Sequence, residues 1–270
     1  MRIDLHIHST ASDGSLSPSA VVLAARSAGL HVMALTDHDT AAGVNEASAA
    51  AVGAVHLIAG IEISTTYEAG ELHVLGYFID PAHAAITKYS QTAALGRRKR
   101  MHAMIQRLET LGITVNFEEV VAAAGSEAAA IGRPHLARAL VQRGYAQSFA
   151  EAFDRYIGDR GPAFLPTQLL TPQGAIDLIH EAGGLAVWAH PRPALFQRDI
   201  HQFASWGLDG VECFRPRCPA EECLSLESRS KSLGLLVTGG SDWHGIWHGR
   251  LGEFSMSRDE VGAFLEKGGI

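Results

Sequence analysis

Little in this chain points to a membrane, an oxidising compartment or a nucleic-acid duplex. No apolar run approaches the roughly 18 residues that a membrane span needs. The N-terminus has no basic region followed by a continuous apolar stretch, because ionisable residues interrupt it from the start, so no export signal is expected. Cysteine is scarce. Cys213, Cys218 and Cys223 are odd in number and close in sequence, which is not a disulfide framework. Reduced packing or surface thiols are expected, rather than a three-thiolate metal site. Positive charge is in short supply too. A formal net charge of −7 leaves no basic stripe to neutralise extended duplex DNA. A small anionic substrate stays within reach if bound cations supply local positive charge. There is no internal repeat and no low-complexity linker. A cytoplasmic enzyme is the expectation.

What is present is enough for a large core. A chain of 270 residues with 47% hydrophobic content can form one globular domain, or one domain carrying a smaller insertion. Both ends alternate strand with helix. Ile3 to Ile7, Val32 to Leu35 and His56 to Ile61 read as short strands, with Leu72 to Ile79 a fourth after a turn at Glu68-Ala69-Gly70. Pro18 to Ala28 reads as a helix capped by Ser17 and stopped by Gly29, and Ala41 to Val52 as the next. From about Ala84 to Gly158 the pattern turns helical. Met101, Met104, Ile105 and Leu108 mark a long helix, and Phe117 to Ala124, Pro134 to Gln142 and Phe149 to Ile157 mark shorter ones. Alternation then resumes, with strands at Leu185 to Trp188, Val211 to Phe214 and Leu235 to Thr238. Helices are expected at Pro172 to Ala182, Asp199 to Trp206, Ala220 to Leu233 and from about Ser257. About seven strands separated mostly by helices is the pattern of parallel α/β architecture.

One series of residues stands out against this pattern. It runs His6, His8, Asp13, His38, Glu62, His73, His190, Asp242 and His244: six histidines and three acidic residues. Imidazole and carboxylate are ligand types that suit zinc, manganese or iron. In a β/α barrel the functional residues gather at the C-terminal ends of the strands. His6, His8, His38, Glu62, His190, Asp242 and His244 all fall at or just after such ends. Within His6-Ile7-His8, side chains two apart share a face, so both imidazoles can point inward while Ile7 packs behind. Asp242-Trp243-His244 repeats the device. His73 is the exception, because it falls near the start of its strand. A site holding more than one metal ion is expected.

In this order, His6-x-His8, Asp13, His38, Glu62, His73, His190 and Asp242-x-His244 resemble the polymerase and histidinol phosphatase (PHP) family. The likeness is greatest to its small stand-alone metal-dependent phosphoesterases. It covers nearly the whole chain, and Ile131-Gly132-Arg133-Pro134-His135 is similar to a segment of the nucleotide-phosphatase branch. The resemblance implies a distorted seven-stranded β/α (TIM-like) barrel built from residues 1–83 and 159–270, with residues 84–158 a helical insertion covering the active site. It also implies three divalent metal ions, manganese first, with iron or zinc as alternatives. His6, His8, Glu62 and Asp242 would hold one metal. Glu62 would bridge to a second, held also by His73 and His190, and Asp13, His38 and His244 would hold the third. No expected ligand is missing.

The implied chemistry is hydrolysis of a phosphate ester by a metal-bound hydroxide, with no protein nucleophile. Ser9 and Ser241, beside the ligands, are read as hydrogen-bonding loop residues. Asp37 and Asp39 either orient His38 or serve as turn and capping residues. Arg133 and His135 are the candidates for gripping a second phosphate or the leaving group, since a guanidinium fork matches phosphate. Arg192, at the mouth, is a further candidate. Arg97-Arg98-Lys99-Arg100 reads as a solvated helix face, and His31, His56, His102 and His180 as packing or surface residues.

The implied substrate is a small phosphorylated nucleotide, a nucleoside 3′,5′-bisphosphate losing its 3′-phosphate to give the 5′-monophosphate. Release of nucleotides from short RNA or DNA ends is the close alternative, followed by histidinol-phosphate hydrolysis. A non-catalytic PHP module is the competing class. Binding to membranes or to extended duplex DNA is not expected.

Overall fold

The computed structural model describes residues 1–68, 70–125, 130–166, 170–245 and 249–270. Ala69, in the turn expected at Glu68-Ala69-Gly70, lies outside them. Seven strands follow one another around a nearly closed barrel in chain order: β1 (Ile3–Ile7), β2 (Val32–Leu35), β3 (His56–Tyr67), β4 (Gly70–Tyr77), β5 (Leu185–Trp188), β6 (Gly210–Phe214) and β7 (Leu236–Gly239). β1, β2 and β3 pair in parallel, as do β5, β6 and β7. β4 runs against both of its neighbours. The seam is closed by the chain that follows β7. His8 N donates to Trp243 O at 3.0 Å, and Ile3 and Met256 exchange backbone bonds of 3.0 and 2.8 Å.

The third strand differs most from its expected form. It extends to Tyr67, twelve residues in all, so Glu62 lies inside a strand rather than after one. Hairpin pairing with β4, from Gly60–Tyr77 to Tyr67–Gly70, explains the extra length. β4 itself spans Gly70–Tyr77 rather than starting at Leu72.

Helices α1 (Pro18–Ser27) and α2 (Val44–Ala51) cover the outside of β1 and β2. There Val21, Val22, Ala25 and Ala47 pack with Ile7, Met33 and Leu35. On the far side α7 (Pro172–Glu181), α8 (Pro193–Ser205) and α9 (Ala220–Ser232) cover β3 to β7. Ile61, Ile63, Leu72 and Val74 point outward against Ile176, Ile179, Phe196 and Phe203. Because alternate residues of a strand face opposite sides, Glu62, Glu71 and His73 are then turned to the inner face. Helix α10 (Arg258–Lys267) caps the bottom, with Phe264 and Leu265 packed under Ile3, Leu5 and Tyr77.

Residues between β4 and β5 carry a second core. They include α3 (Ala84–Thr110), α4 (Phe117–Ala124), α5 (Arg133–Gln142) and α6 (Phe149–Ala152), the last running into a π-helical turn at Phe153–Ile157. Met101, Met104, Leu108, Val120, Leu136, Leu140 and Ile157 form this core. The long helix α3 starts at Ala84, well before the stretch whose apolar spacing predicted it.

Candidate functional site

Strand ends bring the histidines and acids to one rim. At β1 the delivery depends on a bulge. Ile3 and Asp4 pair with Val32 and Met33, but Ile7 pairs with Leu35, so β1 carries one residue more than β2. A bulge re-aims the side chains that follow it. Ile3 and Leu5 join the inner core, whereas beyond the bulge Ile7 packs outward on α1 and His6 and His8 reach the site. At the other end, Gly240 lies against β1 so closely that a Cβ there would stand 2.2 Å from His6 Cβ. Only glycine lets the two chains meet.

His73 reaches the same rim because β4 is reversed. The start of an antiparallel strand lies beside the ends of its parallel neighbours, so Ser64 of β3 faces His73, and Ala189 N, just past β5, donates to His73 O at 3.1 Å.

Glu62 is the hub. Its Oε2 stands 3.2 Å from His6 Nε2, 3.2 Å from His8 Nε2 and 3.0 Å from His38 Nδ1. Its Oε1 stands 2.8 Å from His73 Nδ1 and 3.0 Å from His190 Nε2. Asp242 Oδ1 approaches His6 Nε2 and His8 Nε2 at 3.3 and 3.2 Å, and Asp13 Oδ1 approaches His244 Nε2 at 3.3 Å. Ligand atoms form three groups, each within 4.8 Å: His6, His8, Glu62 and Asp242; His8, Asp13, His38 and His244; and His38, Glu62 and His73. His8 and His38 thus stand between groups as well as Glu62. His190 meets Glu62 from the side of His73, with the two rings 5.2 Å apart. Among the described residues no cysteine joins such a group.

Electrostatics and hydrogen bonding both fit a divalent cation here. Burial opposes the charge on Glu62, yet His38, His6 and His73 outweigh it and hold the carboxyl well below the usual range. Asp13 and Asp242 behave alike, each against its own burial, through His244 and His38 and through His6 and His244 respectively. His38 goes the other way, pushed down to about 3 by burial that Glu62 and Asp13 only partly offset. Within this set of nine residues, five buried atoms have no hydrogen-bond partner: His6 Nε2, His8 Nε2, Asp13 Oδ1, His38 Nδ1 and Glu62 Oε2. Buried polar atoms without partners are uncommon, and five gathered in one cluster form a donor set suited to a metal. The backbone is strained at the same rim, with φ of 55° at Asp39, 30° at His190 and 52° at Asp242.

Neighbouring residues brace the set. Glu212 of β6 is fully buried; its Oε1 lies 2.8 Å from His6 Nδ1, and its Oε2 accepts from His190 N at 2.7 Å. A carboxylate on one imidazole nitrogen fixes the other as the free ligand atom. Sequence reasoning missed Glu212. The signal was an acid in the middle of the apolar strand Gly210–Phe214. Asp37 accepts from the backbone and hydroxyl of Ser9 and of Ser12, at 2.6 to 3.2 Å, which holds the loop after β1. Asp39 accepts from Ser64 N at 2.7 Å, from Arg97 Nε at 2.6 Å and from Tyr89 Oη. These two acids bond loop, hairpin and helix groups, so their visible role is bracing the turns on either side of His38. Ser9 Oγ donates to Asp37 at 2.7 Å and Ser241 Oγ to His6 O at 3.5 Å, in keeping with loop roles.

The solvated-face reading of residues 97 to 100 is corrected. Arg97 is 6% exposed and the Arg100 side chain is largely buried, whereas Lys99 faces solvent. Residues 93, 97, 101, 104 and 108 share the inner stripe of α3, so the spacing of the buried face already included Arg97. His135 is the next candidate. It is fully buried at the start of α5, where its Nδ1 accepts from Gly132 N at 3.0 Å, and burial pushes its pKa down to about 4. Its Nε2 has no hydrogen-bond partner. Arg133 stays at the cavities. It lines an inner one of about 140 Å³ with Asp13, His38, His73 and His244, and an outer one of about 240 Å³ with His190 and Arg192. A further space of about 580 Å³ continues along Arg133, Asp159, Arg160 and Arg192.

A family model described as PHP domain matches residues 4–161. The chain belongs to the PHP family. It is 38% identical over 250 residues to a 5′-3′ exoribonuclease of Haemophilus influenzae, covering 90% of each chain. It is 32% identical over 248 residues to a 3′,5′-nucleoside bisphosphate phosphatase of Chromobacterium violaceum, covering 90% of this chain and 87% of that one. Among solved structures, an amidohydrolase from C. violaceum with bound sulfate and no metal superposes with a TM-score of 0.87 at 30% identity. That match covers 95% of this chain and 92% of the other. The PHP barrel expected from the sequence is therefore the fold observed.

Proposed function

We propose that this PHP protein is a metal-dependent phosphomonoesterase that removes the 3′-phosphate of nucleoside 3′,5′-bisphosphates. The observation that carries the reading is the set of five buried, unpartnered ligand atoms beside a cavity walled by arginine. The relative named 3′,5′-nucleoside bisphosphate phosphatase supports the substrate. Three divalent ions are assigned, manganese first, with iron or zinc as alternatives. His6, His8, Glu62 and Asp242 hold one; Glu62, His73 and His190 the second; Asp13, His38 and His244 the third. Ions held there would polarise phosphoryl oxygens and supply a water acidic enough to act near neutral pH.

The chain's own residues orient and recognise. Glu212 keeps the Nδ1 edge of His6 occupied, so that Nε2 faces the cluster. The Ser9 hydroxyl donates to Asp37 within its loop, and this reading assigns no protein nucleophile. Arg133, between the two cavities, binds the phosphate that is not cleaved, with Arg192 at the mouth. Residues 84–158 serve as a helical insertion over the site; their separate core and the cavity-facing Arg97, Arg100 and Arg133 support that role. A cytoplasmic location accompanies this reading. No described helix is long and apolar enough to cross a membrane.

The second reading is release of nucleotides from the 5′ end of short RNA. It is favoured by the space of about 580 Å³ beyond Arg133 and by the relative named 5′-3′ exoribonuclease. Adenosine 3′,5′-bisphosphate, the mononucleotides, a short RNA and histidinol phosphate should be compared under identical manganese conditions. The highest kcat/KM is expected for the bisphosphate. Preference for RNA would install the second reading, and preference for histidinol phosphate would overturn both.

A further inference from the structure

Two guanidinium groups at the cavity share one carboxylate. Glu71 Oε1 lies 2.8 Å from an Arg100 terminal nitrogen, and Glu71 Oε2 lies 2.9 Å from one of Arg133. All three side chains are largely buried, at 10% exposure for Arg100 and Glu71 and 17% for Arg133. Both cations also lie against one ring, 5.7 and 5.1 Å from the centre of Phe164. The neighbouring Arg97 has its own counter-ion in Asp39, at 2.6 Å. Asp159, the other acid on Arg133, is 72% exposed and so weakly held.

Glu71 stands where an anion would be recognised. It borders both the inner cavity with His38, His73 and His244 and the outer one with His190 and Arg192. It is two residues from His73 on β4, so one strand face presents both to the interior. Carboxylate and phosphate offer a guanidinium fork the same paired oxygens. Burial pushes Arg100 down to about 10 while Glu71 pulls it back, and Arg133 and Arg97 crowd it from the same side.

We propose that Glu71 is a built-in placeholder for a substrate phosphate: it bridges Arg100 and Arg133 and gives way when a phosphomonoester dianion takes both. Glu71 then sets specificity, because only a ligand anion strong enough to displace a carboxylate engages both guanidinium groups. That the displacing group is the uncleaved 5′-phosphate rests on the bisphosphatase reading. The displacement itself does not.

The sign of one change tests this. Glu71→Gln keeps the shape and removes the charge that competes with the ligand. Calorimetry with the full-length protein should show adenosine 5′-monophosphate binding about ten-fold tighter to Glu71→Gln than to wild type, with adenosine unchanged. KM for the bisphosphate should fall alongside, without a rise in kcat. Weaker or unchanged nucleotide binding would mean that Glu71 only braces the arginines, and the proposal would fail. Arg100→Gln gives a second arm should the first variant not fold. It should weaken the monophosphate about ten-fold, and wild-type affinity there would equally overturn the proposal. If wild type hydrolyses no bisphosphate while Glu71→Gln still binds the monophosphate tighter, the bisphosphatase reading falls and the placeholder stands.

Discussion

The barrel rim and the arginine wall that faces it solve opposite problems. On the rim, six imidazoles and three carboxylates converge, and five of their buried atoms have no hydrogen-bond partner. On the wall, the cations are already matched: Arg97 to Asp39, and Arg100 and Arg133 to Glu71. Isolated buried charge is costly and must be paired. The rim meets that requirement only in part through its own histidines and leaves ligand atoms for a cation. The wall meets it internally and can exchange one anion for another. Dependence on an external partner therefore differs across one cavity of about 140 Å³.

Mutations can break this contrast at either side. The largest effect is expected from the hub, which five histidines approach within 3.2 Å. Glu62→Gln should lower phosphatase activity by on the order of 10³-fold or more. Elemental analysis should show the variant short of metal, and a fully loaded, active variant would remove Glu62 from the centre. Next comes the wall's deepest pair. Asp39→Asn leaves the Arg97 guanidinium buried without its counter-ion and should destabilise the protein by about 3 kcal/mol, read from denaturant unfolding. Loss of less than about 0.5 kcal/mol would show that Arg97 finds water instead.

Smaller effects separate positioning from binding. Glu212→Gln should weaken metal binding by about 10–100-fold, measured by competition with a chelator, while the melting temperature of the metal-free protein changes little. Equal metal affinity would reduce Glu212 to a packing residue. Arg133→Gln should sharpen the comparison from the other side. It should raise KM for the bisphosphate about ten-fold and leave metal content at the wild-type level. Loss of metal in that variant would merge the two regions into one unit.

Much of the rim was legible because strand ends repeat a simple rule. His38, His190, Asp242 and His244 follow predicted strands, and the barrel gathers them on one side. His6 and His8 were also placed correctly, though the bulge in β1 that separates them from Ile3 and Leu5 left no trace in the alternation. The wall was less legible. Arg97 and Arg100 look solvated as part of a charge run, because a sequence shows charge and not the acid that will meet it. Asp39 and Glu71 lie far away in the chain. His135 shows a related limit: its Nδ1 edge turns back on Gly132 N, a direction that the sequence does not mark.

The sequence alone determined the chemistry of the centre, because ligand types and strand-end positions are local properties that need no partner to be recognised. It also determined the alternation of strands and helices, from apolar periodicity and turn residues. Tertiary structure decided what depends on direction and on distant pairing. The reversal of β4, fixed by its hairpin with β3 and its antiparallel ladder with β5, brings the start of that strand, and with it Glu71 and His73, to the functional rim. Side-chain pattern has a period of two in either direction, so a strand read from sequence does not reveal which way it will run.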